Sequence, residues 1–240
     1  MTTVSAQLDP SGRLDIVIDA PPVNAFSIEL LSELIELLRN VPDEVRVVVL
    51  RSVGRGFSAG GDIKEMRSLP GHVGITRQIR DGLAACVAIE NCPVPVIAAV
   101  HGYVIGIGAL LAGVCDIIVA ARDTEFIFAE VDNGAASGAV QGLGLLPEKR
   151  LRTAMFTGAP VAVDELLTFG SVHSIVAAAE LSDATNELAA AICAKPNSVI
   201  RALKKAINGS VGRDLTAKYL AEASHTFELH MMSGAADASD

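Results

Sequence analysis

The sequence predicts an α/β fold followed by a helical C-terminal region. Three observations carry this. Valine-rich runs bounded by turn residues, such as EVRVVVLRS and PVIAAV, read as buried strands. Glycine-rich loops follow two of those strands, and each leads toward a helix. From about residue 147 the chain turns mainly helical. In order, RLDIVID (13–19) reads as a strand, and PPVNAF follows as a loop because two prolines end regular pairing. Ser27 is placed to cap a helix over IELLSELIELLRN, whose apolar residues recur at helical spacing. EVRVVVLRS (44–52) is a strand, and residues 73–91 form a helix that stops at Asn91-Cys92-Pro93. PVIAAV is a short buried strand, HGYVIGIG a glycine-rich turn, ALLAG a short helix, and CDIIVAA and EFIFAE further strands. SVHSIV supplies one more strand, residues 180–232 are helical, and SGAADASD reads as a frayed end.

Composition narrows the function. The chain has 240 residues, half of them apolar, enough for one full core. A net charge of −9 argues against nucleic acid as a partner, yet it leaves room for a small anion held by local basic residues. No apolar run is long enough to span a bilayer, and MTTVSAQLDPSGRLDIVID lacks the pattern of a signal peptide. Cys86, Cys92, Cys115 and Cys193 sit in apolar contexts without metal-ligand spacing, as reduced thiols of a cytoplasmic protein do.

GFSAGGDIKEM (56–66) is the most informative stretch. Three glycines with Ser58 and Ala59 between them let a backbone come close to a ligand. Asp62 then starts a helix. The second glycine loop, HGYVIGIG, also runs into a helix. A helix N-terminus has unpaired N–H groups and favours negative charge. One donor from each loop would make a two-donor oxyanion hole. The alternative is that the glycines serve only tight turns and close packing, and from the residues alone both readings stay open. Neither loop matches the GxxxxGK[ST] pattern of phosphate-binding loops.

GFSAGGDIKEM, PVIAAVHGYVIGIGALLAGVCDIIVAA and FIFAEVDNG together resemble the crotonase (enoyl-CoA hydratase/isomerase) superfamily across essentially the whole chain. The resemblance implies a spiral of stacked ββα units over residues 1–180, and a helical oligomerisation region over 181–240 that assembles trimers or paired trimers. It implies an acyl-coenzyme A thioester as substrate, with no separate cofactor and no metal. By position, the oxyanion donors are the N–H groups of Gly61 and Ile107. Ala25, Ala59, Gly60, Asp62, Ile63, Lys64 and Leu110 line the substrate and coenzyme A site. Lys64 suits a phosphate as a point charge, and Asp62 is a cap and a dipole partner.

Family hydratases use two glutamates. The positions here hold Leu110 and Glu130, so one acid is kept and one is aliphatic. A single acid suits proton shuttling, as in the isomerases that share this Leu-then-Glu pattern. Glu130 lies in the apolar run FIFAEV, where burial would raise its pKa. GFSAGGDIKEM, FGSVH and TFELHMMSGAAD are also similar to actinobacterial crotonases that hydrolytically open a steroid-derived cyclic β-diketone on coenzyme A. These too keep the single glutamate. Isomerase, unusual hydratase and ring-opening hydrolase therefore stay open, as does a binding protein that has lost catalysis. Asp132 reads as a turn residue, and His101 and His173 as structural. His225 and His230 are spaced poorly for a shared helical face, which excludes a metal pair there. Phe227 and Met231 are assigned to an acyl chain or a subunit contact.

Overall fold

A computed structural model describes residues 3–211 and 214–237. Its centre is a six-stranded sheet. β1 (Thr3–Leu8) and β2 (Arg13–Asp19) pair antiparallel, and β3 (Val47–Ser52), β4 (Val96–Val100), β6 (Ile117–Ala121) and β9 (Ser174–Val176) continue the sheet in parallel. A second sheet holds β5 (Tyr103–Ile105), β7 (Glu125–Ile127) and β8 (Val161–Ala162), with β7 in the middle.

Both faces of the parallel strands are buried, which is why they read as near-continuous apolar runs. Val48, Leu50, Val96, Ala98 and Val100 face the large core. That core also takes Leu30, Leu31, Leu34 and Leu38 of α1 (Ile28–Arg39) and Ile79, Leu83 and Ile89 of α3 (Val73–Glu90). Val47, Val49, Ile97, Ala99 and Val119 face the other way, against Ala189 and Cys193 of α8 (Leu181–Cys193). The Ser27 hydroxyl caps α1 by accepting from Leu30 N–H at 3.1 Å. α9 (Asn197–Val211) is tied down by Lys204, whose Nζ donates to Ile89 and Val94 carbonyls and to Asp116 Oδ2 at 2.7 Å. α10 (Leu215–Asp237) packs against α3. It also packs on the short α5 (Ala139–Gly142). The four cysteines are free and buried.

Several boundaries differ from the sequence reading. β1 was not foreseen, because an edge strand with mostly exposed side chains shows no apolar alternation. β5 lies inside HGYVIGIG, where the glycines masked a three-residue strand. EFIFAE is not a strand throughout. β7 stops at Ile127, and Glu130 opens the 3₁₀ turn Val131–Asn133. His173 precedes β9 rather than lying on it. The expected frayed end is helical as far as Asp237, and residues 238–240 lie outside the described part.

Candidate active site

The first glycine loop is fixed between two others. Asn24 is buried with φ of 54°. Its Oδ1 accepts from Ala20 N–H, and its Nδ2 donates to the carbonyls of Val53 and Gly56. Ser58 Oγ donates to Asn24 O at 2.7 Å and accepts from Gly60 N–H. Phe26 then brackets the loop, its N–H donating to Gly60 O and its carbonyl accepting from Asp62 N–H. On the other side, Ser58 N–H donates to Tyr103 O, and Ile105 N–H donates to Ser58 O. The second loop is tied to β7 by Gly106 N–H donating to Ile127 O at 2.8 Å.

Two glycines need their freedom here. Gly60 has φ of +96° and Gly106 has φ of +52°, where a side chain is strained. A Cβ on Gly106 would also lie 3.7 Å from Gly60 Cα. The loops thus approach within van der Waals contact. Beyond them, Gly61 precedes α2 (Ile63–Ser68), and Ile107 is the first residue of α4 (Ile107–Val114). Among the described residues, neither the Gly61 N–H nor the Ile107 N–H donates a hydrogen bond. For Ile107, an unpaired first-turn N–H is what helix geometry leaves, whereas Gly61 lies just before the cap of α2.

Two cavities meet at Gly61. One, of about 110 Å³, is lined by Gly60, Ile107, Leu110 and Glu130 among others. The second, of about 450 Å³, contains Ala25, Asp62 and Lys64. Ala59, Gly61 and Ile63 belong to both. The oxyanion donors, Glu130 and the substrate-site residues named from sequence each line one cavity or the other, whereas Phe227 and Met231 line neither. Asp62 caps α2, accepting from Glu65 N–H at 3.0 Å, and Lys64 is exposed at the rim of the larger cavity.

Glu130 supplies the acid of the smaller cavity. Its Oε1 lies 3.7 Å from where a Gly106 Cβ would be, and its Oε2 is shut from solvent with no hydrogen-bond partner. Burial pushes its pKa up to about 7, against an ordinary 4.5. Leu110 is buried and packs against Gly138, so the second acid position is an apolar wall. Asp132 is exposed and outside this cavity.

α10 closes the smaller cavity. Tyr219 lines it, as does Ser137, and burial raises the Tyr219 hydroxyl pKa well above its usual value. Glu222 accepts N–H bonds from Gly138, Ala139 and Val140 at 2.8–3.0 Å, and Thr226 accepts from Ala136 N–H. Phe227 packs against the core and Met231 is exposed, so neither covers this cavity. Tyr219 takes the acyl-side place that was one of the two alternatives for them, and the subunit contact is the alternative left. Its signal was the Leu215, Tyr219, Ala223 stripe at i, i+4, i+8. Gln78 was missed too, a polar residue on the Ile75–Ile79 face of α3. His101 Nε2 pairs with Gly54 O, and His225 with Glu228, while His230 stacks near His72.

The family model described as Enoyl-CoA hydratase/isomerase matches residues 10–233. The chain belongs to the enoyl-CoA hydratase/isomerase family. It is 39% identical over 95% of its length to a "(7aS)-7a-methyl-1,5-dioxo-2,3,5,6,7,7a-hexahydro-1H-indene-carboxyl-CoA hydrolase" of Rhodococcus jostii, covering 89% of that protein. A protein of the same name from Mycobacterium tuberculosis is 39% identical over 94% of the chain and 92% of its own length. A probable enoyl-CoA hydratase from Mycobacterium thermoresistibile superposes with a TM-score of 0.86 at 27% identity, over 96% of this chain and 97% of that one. This family member is thus a crotonase-type acyl-CoA enzyme.

Proposed function

We propose that this enzyme opens a ring of a cyclic diketone carried as a coenzyme A thioester, by adding water across a carbon–carbon bond. The observation that carries the choice of ring opening is the 39% identity, over 94–95% of the chain, to two relatives named as hydrolases of a cyclic diketone CoA thioester. The cavity is compatible with it, holding one acid, the half-buried Glu130, and an aliphatic Leu110 where a second acid would complete a hydratase. The coenzyme A moiety runs along the larger cavity past Ala25, with Lys64 near a phosphate. The thioester oxygen sits between the Gly61 and Ile107 N–H groups, which strengthen their bonds as it gains charge.

The steps balance. Ionised Glu130 takes a proton from water, and the hydroxide adds to a ring ketone carbon. The bond from that carbon to its neighbour breaks. The freed electron pair spreads toward the thioester oxygen in the oxyanion hole, and the ketone carbon becomes a carboxylic acid that stays tethered through the rest of the former ring. Glu130 then returns the proton to the carbon that kept the electron pair. One water is gained and Glu130 is regenerated. A pKa near 7 suits a group that both takes and gives a proton.

A proton-shuttling isomerase or a one-acid hydratase is the second reading, favoured by the same Leu110 and Glu130 pair. The product separates them. Incubation with a cyclic diketone CoA thioester gives one added water and a new carboxylate under the first reading. No ring-opened product, alongside turnover of an enoyl-CoA, would favour the second. Trimeric or paired-trimer assembly belongs to this proposal too. The exposed Val199, Leu203 and Ile207 row on α9 supports a subunit contact.

A further inference from the structure

The cavity of Glu130 holds another buried polar side chain that the mechanism above does not use. Gln78 is only 8% exposed. Both Nε2 and Oε1 are closed off from solvent and have no hydrogen-bond partner. Ile63, Met66, Ile75 and Ile79 share the cavity wall with it, and none of the polar residues of that wall hydrogen-bonds its amide. A buried amide left unpaired on both atoms is destabilising, and native structures rarely keep one without a use. Its place narrows that use. A Cβ built on Gly61 would lie 2.7 Å from Gln78 Nε2 and 3.0 Å from its Cδ. The amide therefore packs beside the open side of Gly61, in the wall of the cavity.

We infer that Gln78 is a specificity-determining residue, which hydrogen-bonds a keto oxygen carried on the acyl group close to the thioester. This rests on the reading of the cavity as the acyl site. Nε2 donates to the keto oxygen, and Oε1 is free to accept from its enol form. A hydrocarbon acyl group fills the same space but leaves the amide unpaired in a site it has dried. Sites built to hydrogen-bond a polar group reject analogues lacking it by far more than apolar pockets reject a missing methylene. Gln78 thus selects oxygenated acyl groups over plain ones.

The test uses binding in a Glu130→Gln background, so that no ligand is consumed. Two probes differ by one oxygen: 2-oxocyclohexanecarboxyl-CoA and cyclohexanecarboxyl-CoA. By calorimetry the background protein binds the keto probe about tenfold or more tighter. Adding Gln78→Met, an apolar side chain of similar length, brings that ratio to about one by weakening the keto probe alone. The ligand-free Gln78→Met protein melts no lower than its parent, because an unpaired amide has been removed. A ratio that Gln78→Met leaves unchanged overturns the inference, as does equal weakening of both probes. A clearly lowered melting temperature also overturns it, since the amide would then be structural. If neither probe binds the background protein, the acyl-site reading itself fails; the Gln78 role fails alone when both bind and only the ratio is insensitive.

Discussion

Glu130 sits where its charge is poorly solvated, and that has a consequence for stability as well as rate. Burial holds its pKa near 7 in the folded chain against 4.5 when unfolded. Between those values the folded state keeps a proton that the unfolded state has released. Stability therefore falls as pH rises through that window and levels off above it. One pKa unit corresponds to about 1.36 kcal/mol, so the full penalty above pH 7 is about 3 kcal/mol. Glu130→Gln cannot ionise and escapes it. The variant should exceed the parent in stability at pH 8, and the gap should widen by about 2–3 kcal/mol between pH 5 and pH 8. Urea unfolding of both proteins at matched concentration reads this directly, with unchanged slopes showing that only stability moved. A gap that stays constant with pH, or narrows as pH rises, would refute the idea that the Glu130 charge is poorly solvated in the folded chain.

Three further expectations follow from the same site. With Glu130 as the base, kcat/KM on the true substrate should fall about tenfold per pH unit below pH 7 and be level above it; a profile without that limb removes Glu130 from the proton transfer. Leu110→Glu restores a second carboxylate and should add weak hydration of a simple 2-enoyl-CoA, followed by loss of the enoyl absorbance. A folded, ligand-binding variant with no hydration would show that cavity shape, rather than the missing acid, sets the reaction. Glu222→Ala strips the acceptor from three backbone N–H groups at the start of α5 and should lower unfolding stability by about 1–3 kcal/mol, measured by urea titration.

Most of the fold could be read because the parallel strands are buried on both faces. β3 and β4 show as apolar runs, and Ser27 and Asp62 announce the helices they cap. β1 and β5 escaped for opposite reasons. One is an exposed edge held by pairing with β2, and the other is a short strand hidden between glycines. In the site, the glycine loops and the lone acid in FIFAEV carried local signals. Gln78 and Tyr219 carried only the signal of a buried helical face, because what matters about them is where α3 and α10 come together over the cavity. Sequence spacing gave each a buried face, but only tertiary packing brings them beside Gly61 and Glu130. Phe227 and Met231 show the converse, since apolar character on α10 did not say which side faced the cavity and which is left for a subunit contact.

In the proposed mechanism Glu130 acts as the base while other groups hold the thioester. Turnover of a cyclic diketone CoA thioester in ¹⁸O-water by the parent and by Glu130→Gln tests this most directly. The parent should place one labelled oxygen in the new carboxylate of a ring-opened product. Glu130→Gln should turn over ~10²–10⁴-fold more slowly, with its dissociation constant for the thioester little changed, because the backbone donors and Lys64 are untouched. A fall of less than about threefold in a variant that folds and binds normally would contradict the assignment of Glu130 as the working base.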